Sequence, residues 1–366
     1  MTGMNKKENG ASGSLLRLVI IGIMICGLIF LVSSPALADI VTLPLDQTQP
    51  GQPLAEENWT LISGADALTD ERVLAYGTAQ AKVLKYDAAT RTWAPTEEDA
   101  AKSDFDWHFY EDPSISVRCE YATLLPAYKA KKIQSSITYI RVANASQIRS
   151  AMSYDKAKGG GMVEANVMAK QKNAVAAVNG DLFKYGNNKA YYAIRQGEFY
   201  RSRLTGSRDV LLIDGEGNFS AVLAATEEEV DAAVKARGEA DAVINTFTVG
   251  PVLVENGVAR DISASSVAKS GEYQWKYAQQ RVAVVQLDTL EYAIVEAYGR
   301  TEGTHGLTIQ EFADYIAYLF PECRLAYNLD GGGSTNVVLK GERIEKTPGH
   351  RKITDILYFA SAWQEE

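Results

Sequence analysis

The chain has 366 residues, 46% of them hydrophobic, with 46 Asp and Glu against 37 Lys and Arg and a formal net charge of −9. That length and apolar content exclude a disordered or collagen-like chain and suit one large or two ordinary domains. The acidic balance excludes general affinity for nucleic acid or an anionic membrane surface, because the long-range field repels polyanions. An anionic ligand therefore needs a local cationic pocket.

In chain order, Lys6, Lys7 and Arg17 precede an apolar run over 18–32, and Ser33-Ser34-Pro35-Ala36-Leu37-Ala38 follows. This is the pattern of a secretory signal at 1–38, cut before Asp39. The run is short of the roughly 20 residues of a spanning helix, so membrane contact is expected only through an uncleaved anchor. The expected location is secreted or in the cell envelope. Removal of Lys6, Lys7, Arg17 and Glu8 with the signal takes the formal charge from −9 to −11. Cys26 leaves too, and Cys119 and Cys323 remain either as a disulfide pair or as two buried thiols; the spacing does not decide between them.

Residues 39–106 are rich in Asp, Glu, Thr, Ala and Pro and read as an accessory or lead-in segment, with the main domain at 107–366. Strands are predicted at 115–117 and 137–142, a helix at 163–172, and a buried strand at 174–178. A hairpin joins 210–213 to 219–223, and Thr226 with Glu229 forms a capping box for a helix that stops at Gly238. A second hairpin joins 281–287 to 292–297 across Asp288-Thr289. Thr308 with Glu311 caps another helix, whose Phe312, Ile316, Leu319 and Phe320 form a buried stripe before Pro321. Strands at 325–329, 337–339 and 353–359 close the chain. The expected class is α+β, a mixed, mostly antiparallel sheet with packed helices.

The segment Asp330-Gly331-Gly332-Gly333-Ser334-Thr335 directly follows a buried strand. Its glycines let the backbone approach a ligand, and successive N–H groups can form an anion nest. Ser334 and Thr335 add hydroxyls, and Asp330 is placed as base, nucleophile or cation ligand. A flexible Gly-Ser turn is the bland alternative. The loop has neither the Lys of a Walker loop nor a GxGxxG spacing. Asn179, Gly180 and Asp181 end another apolar strand, where they suit substrate hydroxyls or a cation as well as they suit an Asn-Gly hairpin turn. Arg281 offers a planar fork for phosphate, with a surface salt bridge as its ordinary role. His305 sits in a glycine-rich loop, and His350 and Arg351 precede the last strand.

These residues occur in blocks: 177–183 around Asn179-Gly180-Asp181, 249–257, Gln280-Arg281-Val282-Ala283, Gly306-Leu307-Thr308, and Asn328-Leu329-Asp330-Gly331-Gly332-Gly333-Ser334-Thr335. Their order resembles the phosphodiester glycosidase family from about residue 110 to 360. An animal member of that family removes N-acetylglucosamine from a mannose 6-phosphate diester. The resemblance implies a hydrolase that cleaves a sugar-1-phosphodiester at the anomeric carbon to free sugar and a phosphomonoester; with the signal pattern, the expected substrate is a small molecule or an envelope glycopolymer. For that reaction phosphate is assigned to Arg281 and the 331–335 loop, Asp330 or Asp181 is the base or nucleophile, Asn179, Gly180 and Arg351 are expected at the substrate, and His305 is a reserve acid or base. No cofactor is required, although Asp181 and Asp330 suit a divalent cation. The alternatives are metal-dependent P–O cleavage and a non-catalytic glycopolymer-binding protein.

Overall fold

The computed structural model describes residues 40–46, 48–62, 70–71, 82–99, 107–129, 131–153, 161–181, 191–204, 206–269, 276–299, 304–344 and 351–364. The expected signal at 1–38, Cys26 and His350 lie outside the described residues. Strands β1 (Trp59–Ile62), β2 (Lys82–Asp87), β3 (Thr92–Asp99), β4 (Trp107–Asp112), β5 (Ile115–Leu125) and β6 (Ile133–Val142) come first. They are followed by β7 (Ile148–Met152), α1 (Ala165–Gln171), β8 (Ala174–Asn179), β9 (Tyr191–Arg195), β10 (Glu198–Arg203), β11 (Val210–Asp214), β12 (Phe219–Val222), α2 (Glu227–Lys235) and β13 (Val243–Phe247). Last come β14 (Val252–Glu255), β15 (Val258–Ala259), β16 (Arg281–Asp288), β17 (Glu291–Ala297), α3 (Ile309–Leu319), β18 (Leu325–Asn328), β19 (Val337–Leu339), β20 (Glu342–Arg343) and β21 (Asp355–Ala360).

The largest sheet runs β1-β4-β5-β6-β17-β16-β18-β14-β15, with β2 on the far end of β5 and β3 beside it. A five-stranded sheet runs β20-β19-β8-β21-β7, and two smaller ones are β12-β11-β13 and β10-β9. Pairing is antiparallel except between β2 and β5. The molecule is more β-rich than the expected α+β balance. One reason is that the polar stretch taken as a lead-in supplies β1, β2 and β3; β3 is mostly exposed, so it carries little of the apolar pattern that marks a strand.

Local signals hold where side chains act on their own backbone. Both capping boxes form, Thr226 with Glu229 on α2 and Thr308 with Glu311 on α3. The two hairpins pair as β11–β12 and β16–β17. Helix α1 is shorter than expected, because Val163 pairs with Ile353 as an isolated bridge instead of joining it.

One face of the large sheet packs against β8, β11 and β21 through Val284, Ile294, Tyr327, Val178, Leu211 and Phe359. The other face packs against α3, whose Phe312 and Ile316 are fully buried; each such side chain contributes roughly 1.5–3 kcal/mol. The β2–β3 hairpin covers α3 in turn: Tyr86 donates to Asp314 at 2.6 Å, Arg91 pairs with the same carboxylate at 2.8 Å, and Trp93 Nε1 donates to the Glu311 carbonyl at 3.0 Å.

The candidate disulfide does not form. Cys119 and Cys323 are both free and buried, and they belong to different apolar clusters. Burial pushes the two thiols up, to about 12 and about 11.

Candidate active site

The site is built where strand ends from the two larger sheets meet. Strand β18 lies antiparallel to β16, with Asn328 opposite Ala283, and Leu329 N–H continues the ladder to the Val282 carbonyl at 3.0 Å. Beyond it the chain turns away, with Asp330 N–H on the Gly180 carbonyl at 3.4 Å. In the five-stranded sheet, Asn179 N–H donates to the Asn336 carbonyl at 3.2 Å and Gly180 N–H to the Asp355 carbonyl at 3.1 Å. The loop from Asp330 to Asn336 therefore crosses from one sheet to the other.

Asn179 makes that crossing rigid. Its Nδ2 donates to the Asp330 carbonyl at 2.7 Å, and its Oδ1 accepts from Asn336 N–H at 2.9 Å. Expected at the substrate, the buried amide instead acts on the loop backbone. Gly180 is needed for room: a Cβ there would stand 2.8 Å from the Asp355 carboxylate and from the Phe247 ring. Gly331 has the same basis, since its Cβ would meet the Gln280 carbonyl at 2.7 Å. Only Gly332 uses the left-handed region, with φ of +63°.

The expected anion nest is smaller than five amides. Gly332 N–H donates to the Gln280 carbonyl at 2.8 Å, and Ser334 and Thr335 N–H groups turn back on the Gly331 and Gly332 carbonyls at 3.3 Å. Among the described residues, the N–H groups of Gly331 and Gly333 donate to no group of the chain, and both residues are half-buried. Arg351 clamps the outside of the loop, its N–H on the Gly333 carbonyl at 2.9 Å and its Nη1 on Ser334 Oγ at 3.1 Å. Thr335 is buried, and its hydroxyl meets no hydrogen-bond partner among the described residues.

Arg281 is buried at the start of β16, with Nε on the Leu307 carbonyl at 3.0 Å and Nη2 on the Tyr277 carbonyl at 2.7 Å. Its Nη1 lies 3.9 Å from where a Cβ of Gly331 would stand, so the guanidinium borders the glycine loop. Burial pulls its pKa down to about 9, with Glu311 acting the other way; the group stays cationic at neutral pH. It is a buried main-chain-bonded cation and not a surface salt-bridge residue.

Asp181 sits in an ion cluster that sequence reading missed. Its Oδ2 takes Arg195 Nη2 at 2.7 Å, and its Oδ1 takes Thr248 N–H at 2.6 Å. Arg195 Nε and Nη2 also bind Asp355 Oδ2, the first at 3.1 Å, while Asp355 Oδ1 accepts Asp181 N–H at 3.0 Å. The remaining Arg195 nitrogen, Nη1, donates to the Ile194 and Thr246 carbonyls, and the guanidinium lies 4.3 Å over the Phe247 ring. Burial, then the Asp355 charge, push the Asp181 carboxyl up to about 6, with Arg195 opposing them. A charged residue closing the apolar run Tyr191-Tyr192-Ala193-Ile194 was the one available signal for Arg195.

A divalent cation between Asp181 and Asp330 does not fit this arrangement, because Arg195 fills the cationic position at Asp181 and a main-chain amide takes its other oxygen. Among the described residues no group of three or more His, Cys, Asp or Glu side chains is arranged to hold an ion. His305 is exposed at the loop before α3. Its Nε2 lies 3.0 Å from Lys129 Nζ, and its ring stands edge-on to Tyr128.

A family model described as phosphodiester glycosidase matches residues 172–360, and the chain belongs to that family. Among solved structures it is similar to the zebrafish N-acetylglucosamine-1-phosphodiester alpha-N-acetylglucosaminidase catalytic domain, auto-inhibited by pro-peptide. That likeness has 15% identity, covers 68% of this chain and 84% of the other, and has a TM-score of 0.53, which shows the shared fold. A hypothetical protein from Synechocystis aligns with 14% identity over 67% of this chain and 62% of its own, at a TM-score of 0.42. Among curated proteins none matches.

Proposed function

We propose that the protein is an exported enzyme that hydrolyses a sugar-1-phosphodiester at the anomeric carbon, of the N-acetylglucosamine-1-phosphate type, with an envelope glycopolymer or exopolysaccharide as the natural source. The observation that carries this reading is the Arg281 guanidinium bordering a glycine loop whose Gly331 and Gly333 amides donate to no group among the described residues. A phosphodiester oxygen is an anion before reaction, and its phosphomonoester product is a good leaving group. The site therefore needs charge stabilisation more than the strong acid that ordinary glycoside cleavage requires. Arg281 and the Gly331 and Gly333 N–H groups hold the phosphate, with Ser334 and Arg351 shaping the loop behind them.

In the first step the Asp330 carboxylate bonds to C1 while the C1–O bond breaks, and the phosphomonoester leaves with the electron pair. In the second, water bonds to C1 as the Asp330 ester bond breaks, and Asp181 takes the water's proton. Export rests on the basic, apolar and small-residue segments of 1–38. Among the described residues no helix is long and apolar enough to cross a membrane.

The test is a panel of sugar-1-phosphodiesters assayed in ¹⁸O water. Label on the sugar supports this reading. Label on the phosphate means P–O cleavage and overturns it, as does binding of the panel without multiple turnover.

A further inference from the structure

The buried cluster of Asp181, Arg195 and Asp355 joins groups whose charges act on one another. Two carboxylates face one guanidinium, all three side chains are at most 2% exposed, and every N–H of Arg195 already has an acceptor. In a low-dielectric interior the charges of such neighbours act strongly on one another. The cluster is tied to the candidate site at both ends. Asp181 follows Gly180, whose carbonyl accepts Asp330 N–H at 3.4 Å, and Gly180 lies against the Asp355 carboxylate.

Among the described residues, the groups that face Asp181 come from four directions. Arg195 stands at the end of β9, Asp355 at the start of β21, and Thr248 N–H just beyond β13. The fourth is Tyr327 of β18, a buried phenol that feels the Asp181 charge and donates to the Asp209 and Phe247 carbonyls at 2.7 and 2.8 Å. Arg195 favours the ionised Asp181, and the nearby Asp355 carboxylate disfavours it. Neither residue belongs to the motif blocks around the glycine loop.

We propose that Arg195 and Asp355 are positioning residues for the reaction assigned above, fixing the Asp181 carboxylate beside the Asp330 loop and setting the charge state in which it accepts the proton of water. The inference rests on that reading of the reaction. It assigns opposite effects to the two residues, whereas a purely structural cluster would give effects of one kind.

The experiment measures kcat against pH at saturating UDP-N-acetylglucosamine for the native enzyme, Arg195→Gln, Arg195→Lys and Asp355→Asn, with circular dichroism as a folding check. The native acid limb is expected near 6, the value to which burial and Asp355 bring Asp181. Loss of the guanidinium should move the limb up by about one pH unit or more, since a neighbouring opposite charge is worth about 1–3 units. Arg195→Lys should return it most of the way. Asp355→Asn should move it down. Limbs that stay in place while kcat falls overturn the proposal. If Arg195→Gln does not fold, the downward shift in Asp355→Asn decides alone, and its absence is equally fatal.

A ¹³C-carboxyl NMR titration of the free protein separates this inference from the reading beneath it. If the native enzyme turns over no diester, the reaction assignment fails. A carboxyl signal that vanishes in Asp181→Asn, rises in Arg195→Gln and falls in Asp355→Asn still establishes the charge-setting arrangement; a signal indifferent to both neighbours refutes it.

Discussion

The two carboxylates of the site stand on strand ends of opposite construction. Asp330 leaves β18 at 9% exposure and enters a loop held almost wholly through backbone contacts, with Asn179 inside and Arg351 outside. Asp181 leaves β8 at 2% exposure and is held through its side chain, by a buried guanidinium and a main-chain amide. The first end is a scaffold, because glycine and backbone hydrogen bonds fix the path of the chain. The second end fixes a charge, because a buried ion cluster cannot shift without exposing an unpaired ion. A reaction at a phosphorylated anomeric carbon uses both kinds of end: an adaptable cradle for the phosphate, and a carboxylate whose proton affinity is set by its neighbours.

The comparison breaks most sharply at Asp330. Asp330→Asn should lower turnover of a sugar-1-phosphodiester by about 10³-fold or more, the scale for loss of a group that acts on the reacting atoms, with an unchanged circular dichroism spectrum and urea midpoint. At the other end the order reverses, and stability responds first. Arg195→Met leaves two buried carboxylates without their cation and should cost about 3–5 kcal/mol in urea unfolding. Equal stability losses at the two ends would erase the distinction between them.

A pH experiment sharpens the same contrast. The Asp181 carboxyl lies above its unfolded value of 3.8, at about 6, so the folded state binds a proton more tightly than the unfolded one. The stability this gives is complete below the unfolded value and is lost as pH rises through about 6. Between pH 4 and pH 7 the native protein should lose about 2.4 kcal/mol relative to Asp181→Asn, since at pH 4 the unfolded carboxyl is already partly ionised. A difference that stays constant over that range contradicts the raised carboxyl.

How much of this was legible beforehand follows from range. The capping boxes at Thr226 and Thr308 and the β11–β12 and β16–β17 hairpins depend on residues within a few positions of one another, so they could be read directly. The Asp330 loop was legible because three glycines after an apolar strand have few other uses. Arg195 and Asp355 were not, since their partnership spans 160 positions and neither is unusual in its own stretch. The loop's residues could be named, but the direction of each N–H could not, and three of five turn inward. Cys119 and Cys323 pose the same limitation: no spacing reveals that two thiols will sit in different clusters.

Asn179 tests whether the loop really depends on the neighbouring sheet. Asn179→Ala removes the donor to the Asp330 carbonyl and the acceptor for Asn336 N–H, both buried, and a buried polar group left without its partner costs about 1–3 kcal/mol. The expected result is a stability loss in that range. A fall in kcat should accompany it, because the displaced group is the main chain that carries Asp330. If KM alone rises, Asn179 touches substrate, and its placement on the loop is a secondary role.

The smallest effect belongs to the outer clamp. Ser334 Oγ accepts from Arg351 Nη1 at 3.1 Å, and Arg351 N–H independently holds the Gly333 carbonyl at 2.9 Å. Ser334→Ala therefore removes one of two tethers and leaves the main-chain one, so a loss of about 0.5–1.5 kcal/mol, or less than about 15-fold in kcat/KM, is expected. Arg351→Met should match it closely, since the main-chain tether survives that change too, and the double variant should be no worse than either single. Additive losses would mean that Arg351 reaches the phosphate itself. The cradle would then be a cationic pair with Arg281 and not a backbone nest with one arginine.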